Sequence, residues 1–137
     1  MKVSIIGMKG PGGRAARLLL AQRPELDLTV YDRAPERCET LRGLATLAGS
    51  AAEALRESQI IVLALDDPRE IDRSLKRYSD GAVNVRLAGK QVWDLCPQAG
   101  EWGRRLSGAI GQAGAAYRPA TPETLPRLIA AAPVRPL

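Results

Sequence analysis

Segments with strand character and segments with helix character alternate along this chain, which limits its possible folds more than any other feature. The run IIVLAL at residues 60–65 is continuously apolar, which is typical of a strand buried on both faces. The predicted strands are residues 2–6, 27–31, 60–65, 91–95 and 115–118. Because helices separate them, they predict an α/β fold, a parallel sheet covered by helices on both faces. We expect residues 2–6 at its centre, between 27–31 and 60–65.

Helix start signals stand between these strands. Pro35 has the position of a first-turn proline, and residues 50–53 (SAAE) form a capping box. Asp67, which a proline follows, is predicted to be a helix N-cap. An N-cap is favoured over the alternative that Asp66 and Asp67 form a carboxylate pair that acts in catalysis or binds magnesium. Further helices are predicted over 99–113 and from Thr121-Pro122. Without a repeat or linker, residues 1–137 are expected to form one domain.

The absence of histidine removes several kinds of chemistry. Ser-His and Cys-His nucleophiles, a histidine general base and most zinc sites are excluded. Cys38 and Cys96 fit no metal or redox spacing, so we expect two reduced thiols. No apolar run approaches the roughly 20 residues of a membrane span, and the opening run is too short for a signal peptide. We therefore expect a cytoplasmic protein without a metal site or membrane contact.

The net charge of +5 raises the question of nucleic-acid binding. The arginines are scattered, no aromatic residues lie between them for base stacking, and many stand beside acids, as in DRAPER and DPREIDR. This pattern is typical of solvated helix faces. An anionic small ligand is a better interpretation of the charge than nucleic acid.

The stretch IIGMKGPGG, which follows the first strand, resembles the glycine-rich turn of dinucleotide-binding folds. Gly7 permits a tight turn, and Gly12 lets the following helix pack close to the sheet. The amides of residues 8–12 would face a pyrophosphate at the helix N-terminus, where free N–H groups and the helix dipole favour anions. Asp32 ends the second strand, twenty residues after Gly12, where a carboxylate can accept hydrogen bonds from a ribose 2′-hydroxyl.

Lys9 stands where the pattern has its middle glycine. Its side chain either occludes the phosphate site or places its ammonium on the phosphates, and the sequence leaves both alternatives open. Gly10 follows directly and relieves some of the crowding.

Four segments together resemble the β-hydroxyacid dehydrogenase family, which includes 3-hydroxyisobutyrate dehydrogenase and the related 6-phosphogluconate dehydrogenases. MKVSIIGMKGPGGRAARLLL is similar to its first strand, glycine turn and helix, and LTVYDRAPERCETL to its second strand with an adenosine-reading acid. LAGSAAEALRESQIIVLALDD is similar to its Ser-x-x-Glu helix and the strand that ends Leu-Pro-Asp. GKQVWDLCP is similar to the strand that ends Asp-Leu-Ser-Thr. The resemblance covers nearly the whole chain and implies a Rossmann fold that binds NAD or NADP.

The chain also departs from the family's pattern. Leu65 replaces the proline of Leu-Pro-Asp, and Cys96 stands in place of a serine near the substrate. The family's catalytic lysine and its partner asparagine lie in a C-terminal helical domain, whereas this sequence has no lysine after Lys90 and a single asparagine, Asn84. The resemblance therefore implies a binding domain that lacks the group for proton transfer.

These observations define the expected function and site. We expect an NAD(P)-binding domain of a hydroxyacid dehydrogenase-like oxidoreductase that is not catalytic alone and works as a homodimer or with a missing helical domain. The alternative is a degenerate Rossmann module that binds or regulates without turnover. NAD is expected to bind better than NADP, because Asp32 would repel a 2′-phosphate more closely than Arg33 would attract it. The expected cofactor contacts are Gly7, Met8, Lys9, Gly10, Pro11, Gly12, Asp32, Arg33, Leu65 and Asp66, with Cys96 near the substrate.

Overall fold

The computed structural model describes residues 1–78 and 81–131, which contain six strands and five α-helices. The strands are β1 (Lys2–Ile6), β2 (Asp27–Tyr31), β3 (Thr46–Leu47), β4 (Ile60–Leu63), β5 (Gln91–Asp94) and β6 (Ala116–Pro119). The helices are α1 (Pro11–Gln22), α2 (Ala51–Glu57), α3 (Pro68–Leu75), α4 (Gly100–Gln112) and α5 (Leu125–Ala131). Strand and helix alternate as the sequence predicts, apart from the segment between β2 and α2.

The strands form one parallel sheet in the order β3-β2-β1-β4-β5-β6. At its centre, Ser4 of β1 lies opposite Thr29 of β2 and Ile61 of β4. The predicted Rossmann-type parallel sheet, with β1 between β2 and β4, is confirmed. Because the chain leaves β1 towards one edge and later returns to β4 on its other side, a crevice opens at the carboxyl ends of these strands.

Two apolar cores lie on opposite faces of the sheet, since successive side chains of a strand point to opposite faces. Val3 and Ile5 of β1 pack with α1 and α5, whereas Ile6 packs with α2, α3 and α4. All four residues of β4 are buried, as the continuous apolar run predicts. Its side chains alternate between the two cores, so β4 is held on both faces of the sheet.

The predicted helix starts at residues 50–53 and at Asp67 are confirmed. The Ser50 hydroxyl accepts the amide hydrogen of Glu53 at 3.1 Å, and the Glu53 carboxylate accepts that of Gly49 at 3.0 Å. The Asp67 carboxylate accepts the amide hydrogen of Arg69 at 2.9 Å, and this backbone hydrogen bond lowers the pKa of Asp67. Asp67 is therefore a helix cap, as its position before a proline indicates.

Several elements differ from the sequence-based prediction, and β6 and α4 do so by one residue at each end. The helix predicted at Pro35 is two single 3₁₀ turns, Pro35–Arg37 and Glu39–Leu41, which meet at Cys38, a residue buried in one of the two cores. The strands predicted at 60–65 and 91–95 end two residues and one residue earlier than expected. The last helix begins at Leu125, after a turn in which the Thr124 hydroxyl bonds to Thr121.

The short edge strand β3 was not predicted. Two residues are too few to show the alternation that identifies a strand, and β3 pairs only with β2. Within the ranges that the structure describes, no helix is long and apolar enough to cross a membrane.

Candidate functional site

The turn between β1 and α1 lies at the crevice, and Gly7 is its first fixed point. The Gly7 amide donates to the carbonyl oxygen of Tyr31 at 2.8 Å, which ties the turn to β2. Gly7 has φ 98°, and a Cβ atom there would lie 2.5 Å from the Ala64 carbonyl oxygen. Both the conformation and the space therefore require glycine, which confirms the predicted role of Gly7 in the tight turn.

Helix α1 packs directly on this turn through two adjacent glycines. A Cβ atom at Gly12 would overlap with the carbonyl oxygen of Gly7, and one at Gly13 would lie 2.7 Å from that of Met8. The predicted role of Gly12 in close helix packing is thereby confirmed. Sequence reasoning missed Gly13, although its place directly after Gly12 was a signal.

The first turn of α1 directly follows the glycine turn and has no side-chain cap. Gly10 is the N-cap of the helix, and Pro11 follows at its start. An added Cβ atom at Gly10 would meet nothing within 4 Å. Lys9 is exposed beside it, and its ammonium has no hydrogen bond or ion pair to any residue that the structure describes. The positive end of α1 is thus open to an anion.

Asp32 follows β2, and its carboxylate is turned into the protein. The side chain is almost fully buried, and its Oδ2 accepts the amide hydrogen of Met8 at 2.7 Å. Its Oδ1 accepts from the amide of Ala34 at 2.8 Å and from the guanidinium of Arg37 at 3.3 Å. Asp32 therefore holds the glycine turn against the segment that follows β2.

Arg33 points into the crevice from the same segment. It lines a cleft together with Gly7, Leu65 and residues of α3. Its side chain is 60% exposed, and its Nε lies 3.6 Å from the Glu70 carboxylate of α3. Leu65 is buried and covers Gly7, whereas Asp66, next in the chain, is exposed. Of the predicted contacts, the structure brings Gly7, Asp32, Arg33 and Leu65 together around this cleft.

A second group of polar residues lies at the carboxyl end of β5. The fully buried Asp94 accepts hydrogen bonds from the Cys96 amide at 2.9 Å and from the Tyr117 hydroxyl of β6. Burial raises the pKa of Asp94 above its usual range, and these two hydrogen bonds oppose that shift. Burial and the adjacent carboxyl group also raise the pKa of Tyr117. The contact between Asp94 and Tyr117 has no signal in the sequence, because it depends on the pairing of β5 with β6.

Cys96 lies on the turn that Asp94 holds. Burial, together with the nearby carboxylates of Asp94 and Asp66, raises the pKa of its thiol, so Cys96 stays protonated. The Gln98 side chain donates to the Cys96 carbonyl at 3.0 Å and reaches the Asp66 carbonyl at 3.5 Å. Gln98, which sequence reasoning did not single out, thus links the loops after β4 and β5.

Solved structures share this arrangement of strands and helices. No protein-family model and no curated protein matches the chain. An imine reductase from Aspergillus terreus is 26% identical, with a TM-score of 0.72 over 90% of this chain and 43% of that one. A reductive aminase from Aspergillus terreus, solved with NADPH and ethyl levulinate, is also 26% identical, with a TM-score of 0.72 over 90% of this chain and 42% of that one. An imine reductase from Myxococcus stipitatus, solved with NADP⁺, is 25% identical, with a TM-score of 0.74 over 90% and 43%.

Imine reductases belong to the group that the sequence resembles. The chain has a Rossmann-type fold and is similar to these reductases, which belong to the NAD(P)-binding β-hydroxyacid dehydrogenase-like family. The resemblance stated from the sequence is therefore confirmed, together with the fold that it implies. The chain spans less than half the length of the reductases that it matches.

Proposed function

We propose that this Rossmann domain binds NADP(H) across the carboxyl ends of β1, β2 and β4, as the cofactor-binding part of an oxidoreductase. The observation that carries the proposal is the open first turn of α1. Its N-terminal amides are capped by no side chain, and they face a crevice at the point where the strand order reverses. This is the place and the chemistry that a pyrophosphate requires.

The residues present fit a dinucleotide. Gly7 and Gly12 bring the backbone of the turn and of α1 close together, and Gly10 leaves the space above them open. The cleft beside Arg33 has an apolar floor that includes Ile6 and Leu65, which suits the flat face of a purine. The exposed Lys9 ammonium is free to move onto the phosphates, so we favour its assisting role over occlusion.

We favour NADP(H) over NAD(H) as the cofactor because of the orientation of Asp32. The expected preference for NAD assumes that Asp32 faces the ribose, but its two oxygens accept hydrogen bonds from Met8, Ala34 and Arg37. Arg33 remains largely exposed at the cleft, where a 2′-phosphate could reach it. The Aspergillus terreus aminase and the Myxococcus stipitatus reductase solved with NADPH and NADP⁺ support the same choice.

The described residues around the crevice offer no evident group for the proton transfer that the reaction also requires. A bound nicotinamide supplies or accepts the hydride, and the substrate needs a separate group to move a proton. Asp94 and Tyr117 bond to each other away from solvent, the Cys96 thiol stays protonated, and no lysine or histidine follows Lys90. We propose that a helical domain, a second copy or another partner completes the active site.

Titration calorimetry of the chain with NADP⁺, NADPH and NAD⁺ tests this function. We expect both NADP forms to bind, about two- to fivefold more tightly than NAD⁺, since one partly exposed arginine contact separates them. Absence of binding by all three would overturn the proposal. Hydride transfer to a β-hydroxyacid or imine by the chain alone would overturn the part that assigns proton transfer to a partner.

A further inference from the structure

Arg33 and Glu70 face each other across the cleft that would hold the adenosine end of the cofactor. The Nε of Arg33 lies 3.6 Å from the nearest Glu70 carboxylate oxygen. Glu70 is the more enclosed partner, with 28% of its side chain exposed against 60% for Arg33. The more exposed guanidinium thus lies beside a carboxylate of the first turn of α3.

We propose that Glu70 is a specificity-determining residue. By competing for Arg33, it weakens the preference of the cleft for nucleotides that carry a 2′-phosphate. The proposal rests on the proposed binding of NADP(H) at this cleft. A residue of α3 thus takes part in the choice between NADP and NAD.

The competition follows from the charges that surround Arg33. A phosphate monoester carries about −1.5 to −2 charge at neutral pH, so its approach to Arg33 also brings it towards the Glu70 carboxylate. To bind that phosphate, the guanidinium must give up its attraction to Glu70. Partial enclosure of Glu70 limits screening by salt, and the repulsion therefore persists at ordinary ionic strength.

Arg37 is not an equivalent substitute for Arg33. Its guanidinium already bonds to the buried Asp32 carboxylate at 3.3 Å. Within the part of the chain that the structure describes, Arg33 has no such bond to a buried carboxylate, so Glu70 is the acid that competes for it.

A nucleotide without the 2′-phosphate should be insensitive to this competition, because it carries no charge at the position that Arg33 serves. The ratio of affinities for two nucleotides, rather than either affinity alone, reports the role of Glu70. A purely structural effect of Glu70 on the cleft would change both affinities together.

Adenosine 2′,5′-bisphosphate and 5′-AMP are therefore the two probes, titrated by calorimetry into the full chain and into E70Q. Glutamine keeps the size of the side chain and suits the first turn of a helix. We expect E70Q to bind the bisphosphate about two- to fivefold more tightly, the range of one partly exposed ion pair, with 5′-AMP unchanged.

E101Q is the matched control. Glu101 lies in the first turn of α4, as Glu70 does in that of α3, and pairs with Arg105 at 2.8 Å. This variant therefore changes the net charge equally at a side chain that does not line the cleft of Arg33. An equal gain in E101Q would show a general charge effect and overturn the assignment to Glu70. E70Q in an R33M background should show no gain, and a gain that persists there would also overturn it.

The outcomes separate this inference from the proposed function. If the unaltered chain binds neither probe, the nucleotide site itself is wrong and the inference falls with it. If it binds the bisphosphate and E70Q leaves the ratio of the two affinities unchanged, the inference alone is wrong.

Discussion

Two strand–turn–helix units of the sheet, β1–α1 and β5–α4, pack the helix against the turn in the same way. In each, a glycine near the start of the helix packs against a carbonyl of the preceding turn. A Cβ atom at Gly12 would overlap with the Gly7 carbonyl oxygen, and one at Gly103 would overlap with that of Gln98. Both helices therefore lie closer to their turns than any other residue type would allow.

The units differ in how they satisfy the buried aspartate that holds each turn. Asp32 bonds to backbone amides and to the guanidinium of Arg37, whereas Asp94 bonds to one amide and to the Tyr117 hydroxyl. Neither α1 nor α4 has a side-chain cap at its N-terminus. The units differ instead in their polar supports, because Asp32 joins two segments beside the crevice and Asp94 pairs with a side chain of the neighbouring strand. The same packing of helix on turn is thus combined with two different ways of satisfying a buried carboxylate.

Gly12→Ala should have the largest effect on this comparison. The added methyl group must push α1 away from Gly7, which we expect to cost about 2–3 kcal/mol of unfolding free energy, as overpacking typically does. It should also abolish the binding of NADP⁺, because the amides of the turn no longer converge. Urea denaturation and calorimetry measure the two effects.

Gly103→Ala and Gly108→Ala are the matched controls for that variant. Gly103→Ala should cost a similar stability and preserve binding, since it affects only the second unit. Gly108 has open space around it within α4, so Gly108→Ala should stabilise the chain by about 0.5–1 kcal/mol. A loss of binding in Gly103→Ala equal to that in Gly12→Ala would show that the two units are coupled.

Tyr117→Phe should destabilise the second unit by about 1–3 kcal/mol, because it removes a donor from a buried carboxyl group. Urea denaturation at neutral pH measures the loss. Tyr78→Phe, at a side chain that is 70% exposed, should stay within about 0.5 kcal/mol of the unaltered chain. If both variants lose equally little, Tyr117 does not support Asp94.

The pH dependence of stability should report the burial of Asp94. Burial raises the pKa of Asp94 in the folded chain above its unfolded value of about 3.8, so the folded state binds more protons. The contribution of Asp94 is therefore most favourable below that value and declines as pH rises through the raised pKa, by at most about 1.4 kcal/mol per pH unit. Urea denaturation from pH 4 upwards should show this decline, and Asp94→Asn should remove it. A decline of the same slope in Asp94→Asn would assign it to other groups.

Lys9→Met should have the smallest effect, weakening NADP⁺ about two- to fivefold through the loss of one exposed ammonium. Calorimetry with Lys2→Met as the control makes the comparison at equal net charge, because Lys2 lies at the opposite end of β1 and pairs with Glu57. Tighter binding in Lys9→Met would instead mean that the side chain occludes the phosphates.

The sequence predicts those parts of the fold whose causes are local. The continuous apolar run of β4, the capping box at Ser50 and the glycine turn at Gly7 each act within a few residues, and all three are confirmed. The 3₁₀ turns after Pro35 were missed because a proline at the first position is compatible with an α-helix and with a 3₁₀ turn alike. Local signals therefore give the elements more accurately than their ends.

The candidate site was only partly predictable, because its decisive contacts are long-range. The position of Asp32 at the end of β2 was correct, but whether its carboxylate faces a ribose or the Met8 amide depends on the packing of β1 against β2. The bond from Tyr117 to Asp94 spans 23 residues and requires the register of β5 with β6. Neither orientation is encoded in a motif.

The margins of the sheet have a consequence for the behaviour of the chain in concentrated solution. β3 contains only two residues, and β6 contains four, of which Pro119 has no amide hydrogen to donate. Unpaired edge strands recruit strands from other molecules, and short or proline-containing edges offer them few partners. The sheet therefore resists growth into intermolecular β-aggregates at either margin.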